Sequence, residues 1–445
     1  MKSENPVSVG DAIDGAPFGT MQKMIVLLCA LVALLDGFDT QAIAFVAPAL
    51  SSAWNLQPSS FGAVFGAGLA GLMLGALIFG PIADRVGRKS VILVTTLLFG
   101  LLTLATASAT SLNEVLVLRF LTGLGLGGAM PNIIALTAEY APARLRATMV
   151  SVMFCGFPLG AVLGGFASAR MIPVFGWPSV FLVGGIIPIL LLPVLAFALP
   201  ESLRFLSTKK NMKRRADDIL RRVLGPDLAA RTSLDSGSVE VLERASIAGL
   251  FVDGRALRTV LLWTVFFMNL LMLYFLVNWL PMLLKQAGFP LDKAIISTAL
   301  LNLGGIAGAL VFARFVDKWG AQLVLVGAYL LASLATFSIG QITGVSFGVL
   351  MVMVFVTGFC VIGAQISINA LAAETYPTVI RSTGVGWALG VGRVGSVIGP
   401  VAGGFLVAAG LSMSALFGIA AVPGLVACTA VYLVTCRSED SLARG

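Results

Sequence analysis

Twelve apolar stretches, each near or above the roughly 20 residues a helix needs to cross a bilayer, leave this chain little choice but a polytopic membrane fold. They lie at roughly 24–48, 61–83, 91–109, 115–138, 147–169 and 179–199, then at roughly 258–284, 294–316, 321–340, 345–372, 383–409 and 412–435. Composition bears this out. Of 445 residues, 58% are hydrophobic and 11% charged, whereas soluble domains are about one-quarter charged. A soluble enzyme, a disordered chain and a coiled coil are thereby excluded. A polar, Lys/Arg-rich stretch separates the two sets of spans. The expected layout is a cytoplasmic tail 1–23, a six-helix bundle 24–199, a cytoplasmic central loop 200–257, a second six-helix bundle 258–435 and a cytoplasmic tail 436–445.

The formal net charge of +8 is a topology signal rather than a nucleic-acid footprint. With the N-terminus inside, 24 of the 29 Lys and Arg fall in the tails and even-numbered connections. Only Arg170, Lys285 and Lys293 fall in the opposite ones, and Arg119 and Arg393 lie within spans. Basic residues stay cytoplasmic, so both termini are expected there. The basic central loop reads as a solvated face. The five Cys show no CxxC spacing and His is absent, so no metal site or disulfide framework is expected. Any proton chemistry falls to carboxylates. The polar start, Met1 to Thr20, shows no cleavage pattern, and no removable signal peptide is expected.

The two halves repeat. A shift of 235 residues lays Phe120-Leu121-Thr122-Gly123 on Phe355-Val356-Thr357-Gly358, Glu139 on Glu374, Arg146 on Arg381, and Gly160 and Gly164 on Gly395 and Gly399. At nearly the same shift Asp84-Arg85-Val86-Gly87 falls on Asp317-Lys318-Trp319-Gly320. Six-span repeats in one orientation are a transporter signature, with a midplane site and two halves that rock about it.

The motifs carry a family resemblance. Gly80-Pro81-Ile82-Ala83-Asp84-Arg85-Val86-Gly87-Arg88-Lys89 resembles the GxxxDRxGRR/K loop of the major facilitator superfamily. Arg119-Phe120-Leu121-Thr122-Gly123-Leu124-Gly125 resembles its fourth-helix motif, and Pro200-Glu201-Ser202-Leu203-Arg204-Phe205-Leu206 its PESxR motif. Asp36-Gly37-Phe38-Asp39 is similar to the DGxD motif of the aromatic acid:proton symporters within that superfamily. Tyr274-Phe275-Leu276-Val277-Asn278-Trp279-Leu280-Pro281 and Gly390-Val391-Gly392-Arg393-Val394-Gly395 also resemble that family. The resemblance implies an all-α integral membrane protein of about twelve helices in two six-helix repeats. It implies proton-driven uptake of acids such as benzoate, 4-hydroxybenzoate or protocatechuate across a bacterial inner membrane, by a monomer needing no cofactor.

Charges inside the spans are costly and functional by default. Asp36 and Asp39 lie one turn apart and share a face. Asp36 is about 20 Å in from Lys23, near the midplane, where it could carry a proton, cap a helix break or pair with an Arg. Arg393, about 18 Å in from Arg381, matches that depth and reads as its counterpart and as the receiver of a substrate carboxylate. Arg119, roughly 9 Å deep, could relay protons, snorkel, or pair with Glu114. Asn132, Asn278, Asn302, Gln365 and Asn369 could bond a ring hydroxyl or simply link helices. Phe38, Tyr274 and Trp279 could stack on a ring or serve as core or interfacial belt.

Asp84, Arg85 and Arg88, with Glu139, Arg146, Asp317, Glu374 and Arg381, flank the inside turns and read as gate ion pairs or as ordinary surface pairs. The expected cycle is therefore a neutralised, loaded site that permits rocking. A proton antiporter exporting organic compounds and a symporter of a non-aromatic solute are the rivals; a membrane enzyme lacks HExxH, and no GxxxxGK[ST] for nucleotide binding occurs.

Overall fold

The computed structural model describes residues 7–207, 209, 212–225, 232–233, 247–252, 255–341, 346–376 and 380–442. Among them, twelve helices are long and apolar enough to cross a membrane. The first six are α1 (Thr20–Ala53), α2 (Phe61–Val86), α3 (Arg88–Ala107), α4 (Leu112–Tyr140), α5 (Ala143–Phe175) and α6 (Pro178–Ala198). The second six are α7 (Ala256–Gln286), α8 (Leu291–Trp319), α9 (Ala321–Gln341), α10 (Phe347–Thr375), α11 (Arg381–Ala408) and α12 (Met413–Leu442). The helices overrun the apolar runs because backbone hydrogen bonding continues past the apolar residues. α5 is interrupted at Cys155, where Pro158 cannot donate to the Phe154 carbonyl. Among the described residues the one departure from an all-helical fold is a two-residue parallel pairing of Val7-Ser8 with Thr232-Ser233.

Two compact units form. The described residues of Met1–Thr40, Ala70–Gly160 and Phe181–Val241 make the first; those of Gln41–Leu69, Ala161–Val180 and Leu242–Gly445 make the second. We call the end of the helices that carries Thr20 and Val86 the tail end, and the other the far end. The second unit thus gathers the far-end parts of α1, α2 and α5 onto the C-terminal helices.

Glycines allow this packing, since lipid supplies no hydrophobic force between helices and close contact must hold them. In the first unit a Cβ on Gly160 would lie 1.8 Å from the Leu34 carbonyl oxygen, and one on Gly71 2.0 Å from that of Phe120. In the second unit the equivalents are Gly395 against Phe267 (2.3 Å) and Gly304 against Phe355 (2.2 Å). Each contact maps onto its counterpart at offsets of 233 and 235 residues, the two shifts visible in the sequence. The repeat is a repeat of backbone contacts.

The far-end seal lies wholly within the second unit. Gly62 of α2 meets Gly404 of α11, and Gly165 of α5 meets Ala299 of α8. Phe65 stands edge-on to Trp279 at 5.4 Å. Gln41 and Asn302, both buried, exchange two amide hydrogen bonds, at 3.1 and 2.9 Å.

The central loop is not merely solvated. A helix at Lys213–Leu224 buries Ala216, Ile219, Leu220 and Val223 in the same cluster as Ile25, Cys29 and Leu199. Its Arg214, Arg221 and Arg222 remain exposed. The mixed sequence KRRADDILRRVL is amphipathic at the helical period, a pattern hidden by its overall charge.

Gly160→Val is expected to cost about 1–3 kcal/mol or more by forcing α1 and α5 apart. Gly327→Ala, whose Cβ would meet nothing within 4 Å, is expected to leave stability unchanged. Thermal unfolding of the detergent-solubilised protein measures both, and equal midpoints would remove the close-contact argument.

Candidate functional site

Gly37 sets the register of α1. A Cβ there would lie 1.9 Å from the Phe157 carbonyl oxygen of α5. About 200° round the helix from that contact, Asp39 faces α3 and α4. Its Oδ2 accepts from Arg119 of α4 at 3.2 Å, and its Oδ1 from Thr103 of α3 at 2.6 Å. Both charged side chains are essentially solvent-free.

The guanidinium is further held by hydroxyl oxygens. Arg119 donates to Thr106 at 3.0 Å, Thr122 at 3.1 Å and Thr103 at 3.4 Å. Thr106 spends its own proton on the Leu102 carbonyl and Thr103 spends its on Asp39, so each offers Arg119 a lone pair. Phe181 of α6 covers the guanidinium, its ring centre 5.0 Å from Cζ, a cation–π contact. Among the described residues Arg119 Nε has no hydrogen-bond partner. The pair is therefore well supported yet incompletely satisfied.

Asp39 thus pairs with Arg119, a partner the sequence reading did not assign to it. Depth along a helix, the coordinate the sequence supplies, does not give the lateral position that sets this pairing. Arg119 does not pair with Glu114, which instead accepts from Thr110. Arg393 is half-buried in α11 and makes no ion pair among the described residues. Asp36 is buried and accepts from Thr40 at 3.0 Å.

Other expected ligand residues divide. Trp279 is fully buried, donates to the Pro400 carbonyl at 2.9 Å and fills the gap over Gly403. It packs between α7 and α11. Asn132 and Asn278 are buried and spend their amide N–H on Gly128 and Tyr274 of their own helices. Tyr274 packs with Leu69 and Leu270, and Phe38 against Gly184 of α6. Gln365 is half-buried and Asn369, one turn on, exposed.

At the tail end Arg88 pairs with Glu139. Glu201, which the sequence marked only as part of a motif, accepts from the backbone N–H of Lys89 at 3.0 Å and of Ser202 at 2.9 Å. A carboxylate at the first turn of α3 suits the positive end of its dipole. Gly87, at φ 99°, leaves room for it: a Cβ would fall 2.3 Å from Glu201 Oε2. Asp14 accepts from the Ala143 N–H at the start of α5 in the same way. Asp84, Arg85 and Asp317 are exposed and make no ion pair among the described residues. Arg146 and Arg381 bond the backbone carbonyls of Ala138 and Tyr376. The side chain of Glu374 lies outside the described residues. Among the described residues no group of His, Cys, Asp or Glu is placed to hold a metal ion.

A twelve-helix fold built from two repeats, with an ion pair buried in its span, defines a multi-pass membrane transporter. Residues 29–386 and 298–444 match the Major Facilitator Superfamily, and the chain belongs to that family; it is a transporter, not an enzyme. It is 42% identical to a gallate transporter of Pseudomonas putida over 426 residues, 96% of this chain and 94% of that one. It is 41% identical to the 4-hydroxybenzoate transporter PcaK of Pseudomonas putida over 433 residues, 96% of this chain and 95% of that one. In fold it is similar to the xylose transporter XylE of E. coli, with a TM-score of 0.73, 20% identity and 92% and 97% of the two chains covered.

Arg119→Leu leaves Asp39 charged and buried without its partner, an expected cost of about 3–5 kcal/mol. Adding Asp39→Asn is expected to return much of it. Thermal unfolding in detergent tests this, and strictly additive losses would mean that the two side chains do not interact.

Proposed function

We propose that this chain is a proton-coupled importer of aromatic carboxylates in a bacterial inner membrane, with both termini cytoplasmic. The buried Asp39–Arg119 pair carries the coupling part of the reading. A carboxylate within a span, held by one cation and one hydroxyl, can exist in two protonation states that differ in their grip on that cation. The substrate class rests on the relatives named for gallate and 4-hydroxybenzoate transport, both aromatic carboxylates. The tail-end position of most Lys and Arg supports the orientation.

On this reading a proton from outside neutralises Asp39 and loosens Arg119, with Asp36 as a second carboxylate on the same helix. Arg393, with Gln365 and Asn369 of α10, receives the substrate carboxylate. The far-end seal at Gln41–Asn302 and Gly62–Gly404 faces the outside and parts to admit substrate. The tail-end pair Arg88–Glu139, with Asp84, Arg85, Arg146, Asp317, Glu374 and Arg381, closes the inside in turn. The two six-helix repeats, 24–199 and 258–435, are the rocking halves. The driving force is the proton gradient, with a single chain as the working unit and no cofactor.

Uptake of labelled 4-hydroxybenzoate into proteoliposomes, driven by an inward proton gradient, tests the proposal. Accumulation that a protonophore abolishes is expected. Asp39→Asn is expected to lose accumulation at least tenfold while retaining exchange of substrate across the membrane. Full accumulation by Asp39→Asn would remove the coupling role, and gradient-driven extrusion would replace symport by antiport.

A further inference from the structure

Asp39 hydrogen-bonds two side chains among the described residues, and they differ in what they can do for a proton. Arg119 has donors only, whereas the Thr103 hydroxyl has one O–H and two lone pairs. Thr103 Oγ1 lies 2.6 Å from Asp39 Oδ1, against 3.2 Å for the ion pair. An ionised carboxylate has no hydrogen to give, so the proton in the short contact belongs to Thr103. One lone pair of the same oxygen takes Arg119 Nη2 at 3.4 Å, and the second is left over.

The neighbouring threonines of α3 behave differently. Thr95 and Thr106 turn their protons back on the carbonyls of Val91 and Leu102, both at 2.8 Å. That is a common resting place for a hydroxyl on a helix. Thr103 has swung its proton from the corresponding carbonyl, that of Phe99, to the carboxylate. A carbonyl oxygen keeps a second lone pair beside the one the helix uses, so the resting place stays open to Thr103.

A proton arriving at Asp39 has two places to sit. On Oδ2 the new O–H faces Arg119, where nothing accepts. On Oδ1 it faces Thr103, whose spare lone pair receives it when the threonine O–H swings to Phe99. One O–H bond forms at Asp39, with a proton from water on the outer side, and Thr103 keeps its own proton throughout. Each hydroxyl then has an acceptor, in a buried place where an unmade hydrogen bond is costly. The other charged groups on the surrounding helices offer no substitute. Asp36 lies one turn back on α1 and accepts from Thr40. Glu114 and Glu139 stand at the two ends of α4, Arg88 and Lys89 at the start of α3, and α6 carries no charge.

We propose that Thr103 is a positioning residue for proton coupling, a reversible hydroxyl that donates to Asp39 as a carboxylate and accepts from it as an acid. The inference rests on the reading of Asp39 as the proton carrier. Hydrogen bonds to an ion are roughly twice as strong as neutral ones. Thr103 therefore holds the acid during the crossing and holds the carboxylate more firmly, which favours release of the proton inside.

Thr103→Val keeps the shape and removes both bonds, the stronger one from the carboxylate, so release inside slows. Gradient-driven accumulation of 4-hydroxybenzoate in proteoliposomes is expected to fall roughly tenfold, the scale of one hydrogen bond to a charged group. Gradient-free exchange, which needs no release, is expected to stay near wild type. Thr103→Ser keeps the hydroxyl and is expected to accumulate substrate close to the wild-type level. Full accumulation by Thr103→Val, an equal loss of exchange and accumulation, or failure of Thr103→Ser to rescue would each overturn the proposal. Infrared difference spectra between high and low pH give a readout that needs no transport. The carboxylic-acid carbonyl band that Asp39→Asn removes is expected, in wild type, at the lowered frequency of an acid whose O–H is bonded. A band at the frequency of an unbonded acid would overturn the proposal even should Thr103→Val not fold. No such band at any pH, no accumulation by wild type, or full accumulation by Asp39→Asn would remove the parent reading. Expected behaviour of those two proteins beside an unaffected Thr103→Val removes this inference alone.

Discussion

Close approach of helix backbones is the constraint on which this structure depends. Lipid tails are as apolar as leucine, so burying apolar surface between helices gains little, and contact must come from packing. Packing is tightest where Cβ is missing. Gly37, Gly156 and Gly160 let α1 and α5 touch along three turns, and Gly71, Gly75 and Gly127 do so for α2 and α4. Such contacts fix the rotation of each helix as well as its distance. With Gly37 turned to Phe157, Asp39 has one direction left, toward Thr103 and Arg119. The charge chemistry is aimed by residues without side chains.

Burying ions raises a second requirement. Desolvating a carboxylate and a guanidinium costs several kcal/mol for each ion even after relaxation, and a single contact at 3.2 Å would not obviously repay it. Three threonines and an aromatic face share the load around Arg119. The tail end meets its electrostatic demands differently. Glu201 and Asp14 accept from backbone N–H groups at the starts of α3 and α5, and Tyr140 donates to the Glu201 carbonyl at 2.6 Å. These contacts tie the loop after α6 to the turn before α3. The motif segments around Gly87 and Glu201, far apart in sequence, are thus two sides of one junction.

Much of this was legible beforehand. Span number, the repeat and the special standing of Asp39 and Arg119 all follow from hydropathy, self-similarity and the cost of charge in hydrocarbon. The partner of Asp39 did not follow, because depth along a helix is one coordinate and pairing needs two more. Thr103 and Thr106 carried no signal either: a threonine in a membrane helix ordinarily bonds its own backbone, as Thr106 also does with Leu102. The packing of Trp279 was hidden for a related reason. Its position in a resembling motif suggested a ring-binding role, while the hole above Gly403 that it fills belongs to α11 and is visible only in three dimensions. The loop helix at Lys213–Leu224 was masked by charge, its four buried residues being too few to raise local hydropathy.

The two repeats share a scaffold but not a task. Arg119 corresponds to Val354 and Arg393 to Pro158 at the 235-residue shift, so each repeat keeps one membrane arginine at a place the other lacks. In the first unit that arginine is held by a carboxylate and hydroxyls; in the second it makes no ion pair among the described residues. On the proposed reading the first arginine is released when Asp39 takes a proton and the second binds the substrate carboxylate. Their link is covalent. α1 passes from the first unit to the second between Thr40 and Gln41, so Asp39 and the Gln41–Asn302 amide pair are two residues apart on one helix. On the proposed reading, protonation of Asp39 would loosen its hold on Arg119 two residues from that amide pair along the same helix.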